Sequence, residues 1–151
     1  DKVIGGDGDD TLIAGSGSDT LTGGQGFDRH RFNNFTPGEI DVITDYFGDF
    51  PLGDRIEISA KAFGGSLIPN TNGNISNSGG FFVQLAGNGV PAISTAPIGT
   101  SEIYYDEGGG GLYFDRDGAG TGTGFEQFAQ LLPVPGFIAA PNVFENIIIV
   151  D

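Results

Sequence analysis

An aspartate recurs every ninth residue at the start of this chain, at Asp1, Asp10, Asp19 and Asp28. Other columns keep the same period. Val3, Leu12 and Leu21 follow an aspartate by two places, Gly6, Gly15 and Gly24 form a third column, and Gly8, Gly17 and Gly26 a fourth. Gly5, Ala14 and Gly23 differ among themselves only by a methyl group. So short a unit cannot bury a hydrophobic face alone, so successive units must stack into a solenoid. A flexible glycine-rich linker would have no use for hydrophobic residues in register.

The chemistry of the unit follows from its residues. Aspartate in a glycine-rich turn supplies a hard oxygen ligand on a backbone that can also turn its carbonyls inward. Calcium takes about six to eight such oxygens and tolerates irregular geometry. Glycine is needed because a tight carbonyl-in turn visits backbone angles that a Cβ disfavours. Thr11-Leu12-Ile13 and Thr20-Leu21-Thr22, which follow two of the aspartates, alternate with the period of a strand, the middle residue inward. Each nonapeptide is therefore expected to form a calcium-binding turn and a short strand, with two nonapeptides to a coil. Turns two repeats apart then share an edge: Asp10 stacks on Asp28, and Asp19 on Asp1.

Composition narrows the partners. A net charge of −14 argues against nucleic acid and against an anionic membrane surface. Acid is concentrated early, with twelve Asp or Glu against four Lys or Arg in residues 1–60. The absence of cysteine removes disulfides and thiolate metal sites. The longest aliphatic run, Ile147 to Val150, is too short for membrane insertion. With 28 glycines and 8 prolines, the composition favours turns over long helices. The chain opens inside a repeat and without methionine, so further sequence is expected before Asp1.

The repeat resembles the GGxGxDxUx nonapeptide of RTX proteins, the calcium-binding β-rolls of secreted bacterial toxins, proteases, lipases and surface proteins. That resemblance implies calcium held between stacked turns by aspartate carboxylates and by carbonyls of the glycine-rich hexapeptide. On one edge it implicates Asp10 and Asp28, with carbonyls around Gly6, Gly8, Gly24 and Gly26. On the other it implicates Asp19 with Gly15 and Gly17, facing Asp1. The segment "DVITDYFGDFPLGDRIEIS", from Asp41 to Ser59, resembles the one that leaves the roll in this family. Asp41 stands two repeats beyond Gly23, and Asp41 and Asp45 are expected to close the last site; Asp54 is read as a solvated turn residue. His30 takes the inward hydrophobic position at the roll's aromatic end. It is read as a polar residue closing the roll, since no cysteine or second histidine accompanies it.

Beyond the roll, strands are expected at Phe81–Leu85, Ser101–Asp106, Leu112–Asp115 and Phe144–Val150. "DEGGGG" predicts a hairpin turn, and Ile68–Gly80 a polar loop. Phe125, Phe128, Leu131 and Leu132 lie at helical spacing before Pro133 and predict one short helix. "DRDGAGTGTGFE" puts Asp115, Asp117, Gly120 and Glu126 at positions one, three, six and twelve of an EF-hand loop. Ala119 at position five and a strand-like entry favour a plain glycine-rich turn there. The expected fold is all-β: a short parallel β-roll over residues 1–36, then a C-terminal β cap over residues 37–151 with one short helix.

The expected function is a calcium-binding module that folds on calcium after type I secretion, as the C-terminal part of a larger extracellular bacterial protein. The resemblance implies the type I secretion machinery as a partner, because Glu145 with Ile147–Val150 is similar to that family's acidic-then-aliphatic ending. The alternative is a structural surface protein or adhesin subunit, assembling through the open roll end into a calcium-dependent filament or layer. No enzyme is expected within these residues: one histidine and no cysteine leave no catalytic constellation to build on.

Overall fold

The computed structural model describes residues 1–47, 53–69, 82–86, 100–106, 108–118, 124–133 and 146–151. The repeats form four short strands, β1 (Lys2–Asp7), β2 (Thr11–Ala14), β3 (Thr20–Gln25) and β4 (Arg29–Phe32). Odd and even strands part into two sheets. β1 runs parallel to β3 with Lys2 opposite Thr20, and β2 parallel to β4 with Thr11 opposite Arg29. The coil is therefore two nonapeptides long, as the period requires. Leu12, Leu21 and His30 point inward and are buried, while Ile4 and Ile13 on the outer faces are 60% and 51% exposed.

The later elements, in chain order, are β5 (Asp41–Tyr46), β6 (Arg55–Ser59), a single helical turn α1 (Ala60–Phe63), β7 (Phe82–Ala86), β8 (Glu102–Asp106), β9 (Gly111–Asp115), β10 (Glu126–Pro133) and β11 (Ile147–Val150). β5 continues the first sheet beside β3, and β6 the second beside β4, both parallel. β10 then lies parallel to β5 and antiparallel to β9, whose glycine-rich turn makes the expected hairpin with β8. The sheets run β1-β3-β5-β10-β9-β8-β7 and β11-β6-β4-β2. Strands from residues beyond the repeats thus extend both sheets of the roll.

The segment expected as the helix instead forms strand β10, Glu126–Pro133. Its neighbours decide this. β5 and β9 each offer an unpaired edge, and an extended segment satisfies both at once, whereas an isolated helix this short is marginal. The register against β9 shifts between Gln127 and Ala129, so the consecutive Phe128 and Ala129 are both buried; that irregularity produced the helix-like spacing. The chain's described helical turn is α1, where Ser59 Oγ accepts from Ala62 N (3.1 Å) and Gly64 follows at φ 74°. Between the sheets, Phe63 packs against Phe35, Phe114 and Phe128 with ring centroids 4.9–5.3 Å apart. The expected polar loop lies outside the described residues beyond Pro69, and Glu145 also lies outside them.

Candidate calcium site

The aspartate column becomes two ladders in space, one on each edge of the roll. On the first edge Asp10 N donates to Asp28 Oδ1 (2.9 Å), and Asp28 N to Asp54 Oδ1 (3.0 Å). On the second, Asp1 N donates to Asp19 Oδ1 (2.7 Å), and Asp19 N to Asp41 Oδ1 (2.8 Å). The main chain keeps step: Arg29 N donates to Asp10 O, Arg55 N to Asp28 O, Thr20 N to Asp1 O and Val42 N to Asp19 O.

Two expectations change here. Asp54 is not a solvated turn residue; it is buried as the third rung below Asp28. Asp41 stands 22 residues after Asp19 and continues that column instead of meeting Gly23. The contact with Gly23 is made by Asp45, whose two oxygens accept from Gly23 N (3.0 Å) and Gly24 N (2.9 Å). Longer connections cause both changes. The coil step is 18 residues within the repeat, 22 from Asp19 to Asp41 and 26 from Asp28 to Asp54.

Between the turns on the first edge lies a cradle lined by oxygen. Gly24 and Gly26 sit at φ 109° and 140°, directly on the carbonyls of Gly6 and Gly8. A Cβ built at Gly5 would stand 2.6 Å from both Asp10 Oδ2 and Gly23 O. Asp10 Oδ2 is itself buried without a hydrogen-bond partner. An orphaned carboxylate oxygen, inter-turn carbonyls and space only glycine leaves open form a hard donor set, which fits calcium. Among the described residues no three acidic or imidazole side chains converge on one point, so backbone carbonyls must complete the ligation.

The second edge is built differently. Asp19 Oδ2 accepts from Gly15 N (3.1 Å), and Glu39 Oε2 accepts from Gly17 N (2.9 Å) and Asn34 Nδ2 (3.2 Å). Gly15, Gly17, Asn34, Thr36, Glu39 and Asp41 line a cavity of about 10 Å³, the size of one water or ion. Glu39 was not expected at the site. Its signal was Glu39-Ile40-Asp41, which repeats the spacing of Gly17-Ser18-Asp19 with a carboxylate where the turn glycine stood.

Burial dominates the electrostatics. It pushes the carboxyl of Asp28 up, and those of Asp41 and Asp54 up to about 6, against hydrogen bonds from the main chain that lower them. Among the described residues no lysine or arginine pairs with a ladder aspartate; the basic side chains that pair there reach Glu57 and Asp151 instead.

His30 does take the inward position, in register with Leu12. Its ring is fully buried, neither nitrogen has a hydrogen-bond partner, and Nε2 lies 4.0 Å from Asp54 Oδ2. Burial lowers its pKa to about 4, with Asp45 opposing. Because the folded value lies below the unfolded 6.5, the stability this neutral ring contributes is present above pH 6.5 and is lost as pH falls toward 4. His30→Leu, which copies Leu12 and Leu21, is expected to gain about 2 kcal/mol over the natural chain between pH 7.5 and pH 5. Paired thermal melts in calcium at the two pH values check this; a constant difference between the proteins would refute it.

Residues 1–29 match the RTX calcium-binding nonapeptide repeat in four copies. No curated protein and no solved structure matches the chain.

Proposed function

Since residues 1–29 are RTX calcium-binding nonapeptide repeats, we propose that this chain is a calcium-gated folding module whose roll orders when the ion enters between its turns. The observation that carries this reading is the pair of ladders: aspartates stacked rung on rung, with Asp19, Asp28, Asp41 and Asp54 buried and no lysine or arginine among the described residues paired with them. On the first edge Asp10 and Asp28 would hold the ion with carbonyls of Gly6, Gly8, Gly24 and Gly26. On the second Asp19 and Asp41 would hold it with Gly15 and Gly17, below Asp1. Asp45, through Gly23 N and Gly24 N, holds the third turn in shape. Bound calcium supplies the positive charge that the crowded carboxylates lack. The chain's own residues orient the donors and keep the turns tight enough to share them.

The reading extends to where the chain works. Extracellular calcium modules are tuned to about 10⁻⁴–10⁻³ M. A roll so tuned stays open in a calcium-poor cytosol and closes outside the cell, which suits a bacterial protein exported unfolded by type I secretion. In that setting residues 1–36 act as the roll, residues 37–151 as a cap whose β5 and β6 continue it, and the whole as the C-terminal part of a larger extracellular protein.

Titration calorimetry tests the ligand assignment. Asp10→Ala and Asp19→Ala are each expected to weaken calcium binding at least about tenfold, the effect of losing roughly 1.4 kcal/mol. Asp106→Ala, outside both ladders, leaves it unchanged. Equal effects at all three positions would overturn the assignment.

A second reading has its own support. β1 and β2 are the outermost strands of the two sheets at one end of the roll, and they carry the exposed Ile4 and Ile13. Outermost strands are templates for further pairing, and a surface subunit that stacks end to end in calcium would use them. Light scattering that finds calcium-dependent polymers supports assembly, and a monomer with and without calcium removes it.

A further inference from the structure

Asp115 closes β9 with only 1% of its surface exposed. Its Oδ1 accepts from Asp117 N (3.1 Å) and Gly118 N (3.2 Å), forming a tight turn, while Oδ2 is buried without a hydrogen-bond partner. Glu126 begins β10 opposite Phe114, and its Oε2 is likewise buried and unpartnered. Asp115, Asp117 and Glu126 all line one cavity of about 300 Å³, walled on the core side by Phe35, Pro37 and Phe114.

No basic side chain is paired with these carboxylates. All six Lys and Arg of the sequence lie among the described residues, and none forms an ion pair with these three carboxylates. Arg116 shares the cavity wall without pairing to them. Acidic groups so placed call for a cation. An anion would be repelled here, and an apolar ligand would leave two buried oxygens unpaired, at a cost of about 1–3 kcal/mol each.

We propose that this cavity is a divalent-cation site separate from the roll, in which Asp115, Asp117 and Glu126 bind calcium and water completes its shell. The three carboxylates do not converge in advance, so the site closes on the ion and binds it more weakly than a preformed cage does. A water takes about 30 Å³, so the cavity has room for a hydrated ion. The three residues keep the first, third and twelfth positions of a calcium loop although β9 and β10, not helices, flank them. The ion's place matters for the fold. β10 is the strand that joins β5 of the roll's sheet to the β8–β9 hairpin, so calcium here ties the hairpin to the roll.

Equilibrium dialysis of the full chain against calcium, with circular dichroism of the same samples, tests the site. Asp115→Asn with Glu126→Gln is expected to bind one ion fewer than the natural chain at saturation. The calcium-dependent gain in strand signal, which reports the roll, stays at its natural midpoint. An unchanged ion count overturns the proposal. Should that double variant not fold, Asp117→Asn, which leaves the Asp115 turn intact, is expected to weaken the weakest binding step about tenfold; an unaltered step overturns it. Failure of the roll reading would look different: Asp19→Ala would keep all its ions while the cavity variants still lost one.

Discussion

In excess chelator at neutral pH the chain is expected to lose most of the strand signal of its first six strands, and to regain it as calcium is restored. The ladders give the reason. Asp28, Asp41 and Asp54 are buried, and burial raises all three. A carboxyl raised to about 6 favours the fold fully only below its unfolded value of 3.8, and that contribution is lost as pH rises through 6. At pH 7 the buried charges of Asp41 and Asp54 therefore oppose folding by roughly 2–3 kcal/mol each. A cation between the turns reverses the sign, because it favours the charged form. Each site filled to 100 times its dissociation constant adds about 2.7 kcal/mol, and two such sites offset the opposing terms. Circular dichroism in EGTA, then with calcium added back, is the measurement. A roll that keeps its strand signal in excess EGTA has some other source of stability, and calcium gating would be wrong.

The repeat and its chemistry were legible because a short period leaves few ways to fold. Leu12 and Leu21 had to point inward, and the aspartates had to stack two repeats apart. Legibility ended where the period ended. Asp54 continues the first ladder, but eight extra residues in the connection hide it from a fixed step, and nothing in its local sequence marks it as buried. Glu39 is hidden for a related reason: it does a glycine's job in the turn by a different route, accepting from Gly17 N. The strand β10 was lost to its own pattern, since an irregular register places apolar residues at a helix-like interval. In each case the deciding partner is distant in sequence, and local propensity yields to it.

The two turn glycines Gly6 and Gly24 offer the sharpest test of how the first edge is built. Both hold left-handed backbone angles, at φ 118° and 109°, so alanine at either pays the same strain, about 1–2 kcal/mol. They differ in what lies above the Cα. A Cβ at Gly6 meets nothing, whereas a Cβ at Gly24 overlaps the carbonyl oxygen of Gly6. That oxygen is part of the main chain and moves only if the turns part, which also opens the calcium cradle. Gly24→Ala is therefore expected to cost about 2–3 kcal/mol more than Gly6→Ala, and to raise the calcium needed for folding. Gly8 and Gly26 repeat the comparison: Gly8 is open, and Gly26 sits on the Gly8 carbonyl. Urea unfolding in saturating calcium measures the cost, and the calcium midpoint measures the opening. Should Gly6→Ala and Gly24→Ala lose the same stability and share one midpoint, the turns are not stacked in contact, and carbonyls of adjacent turns cannot share an ion.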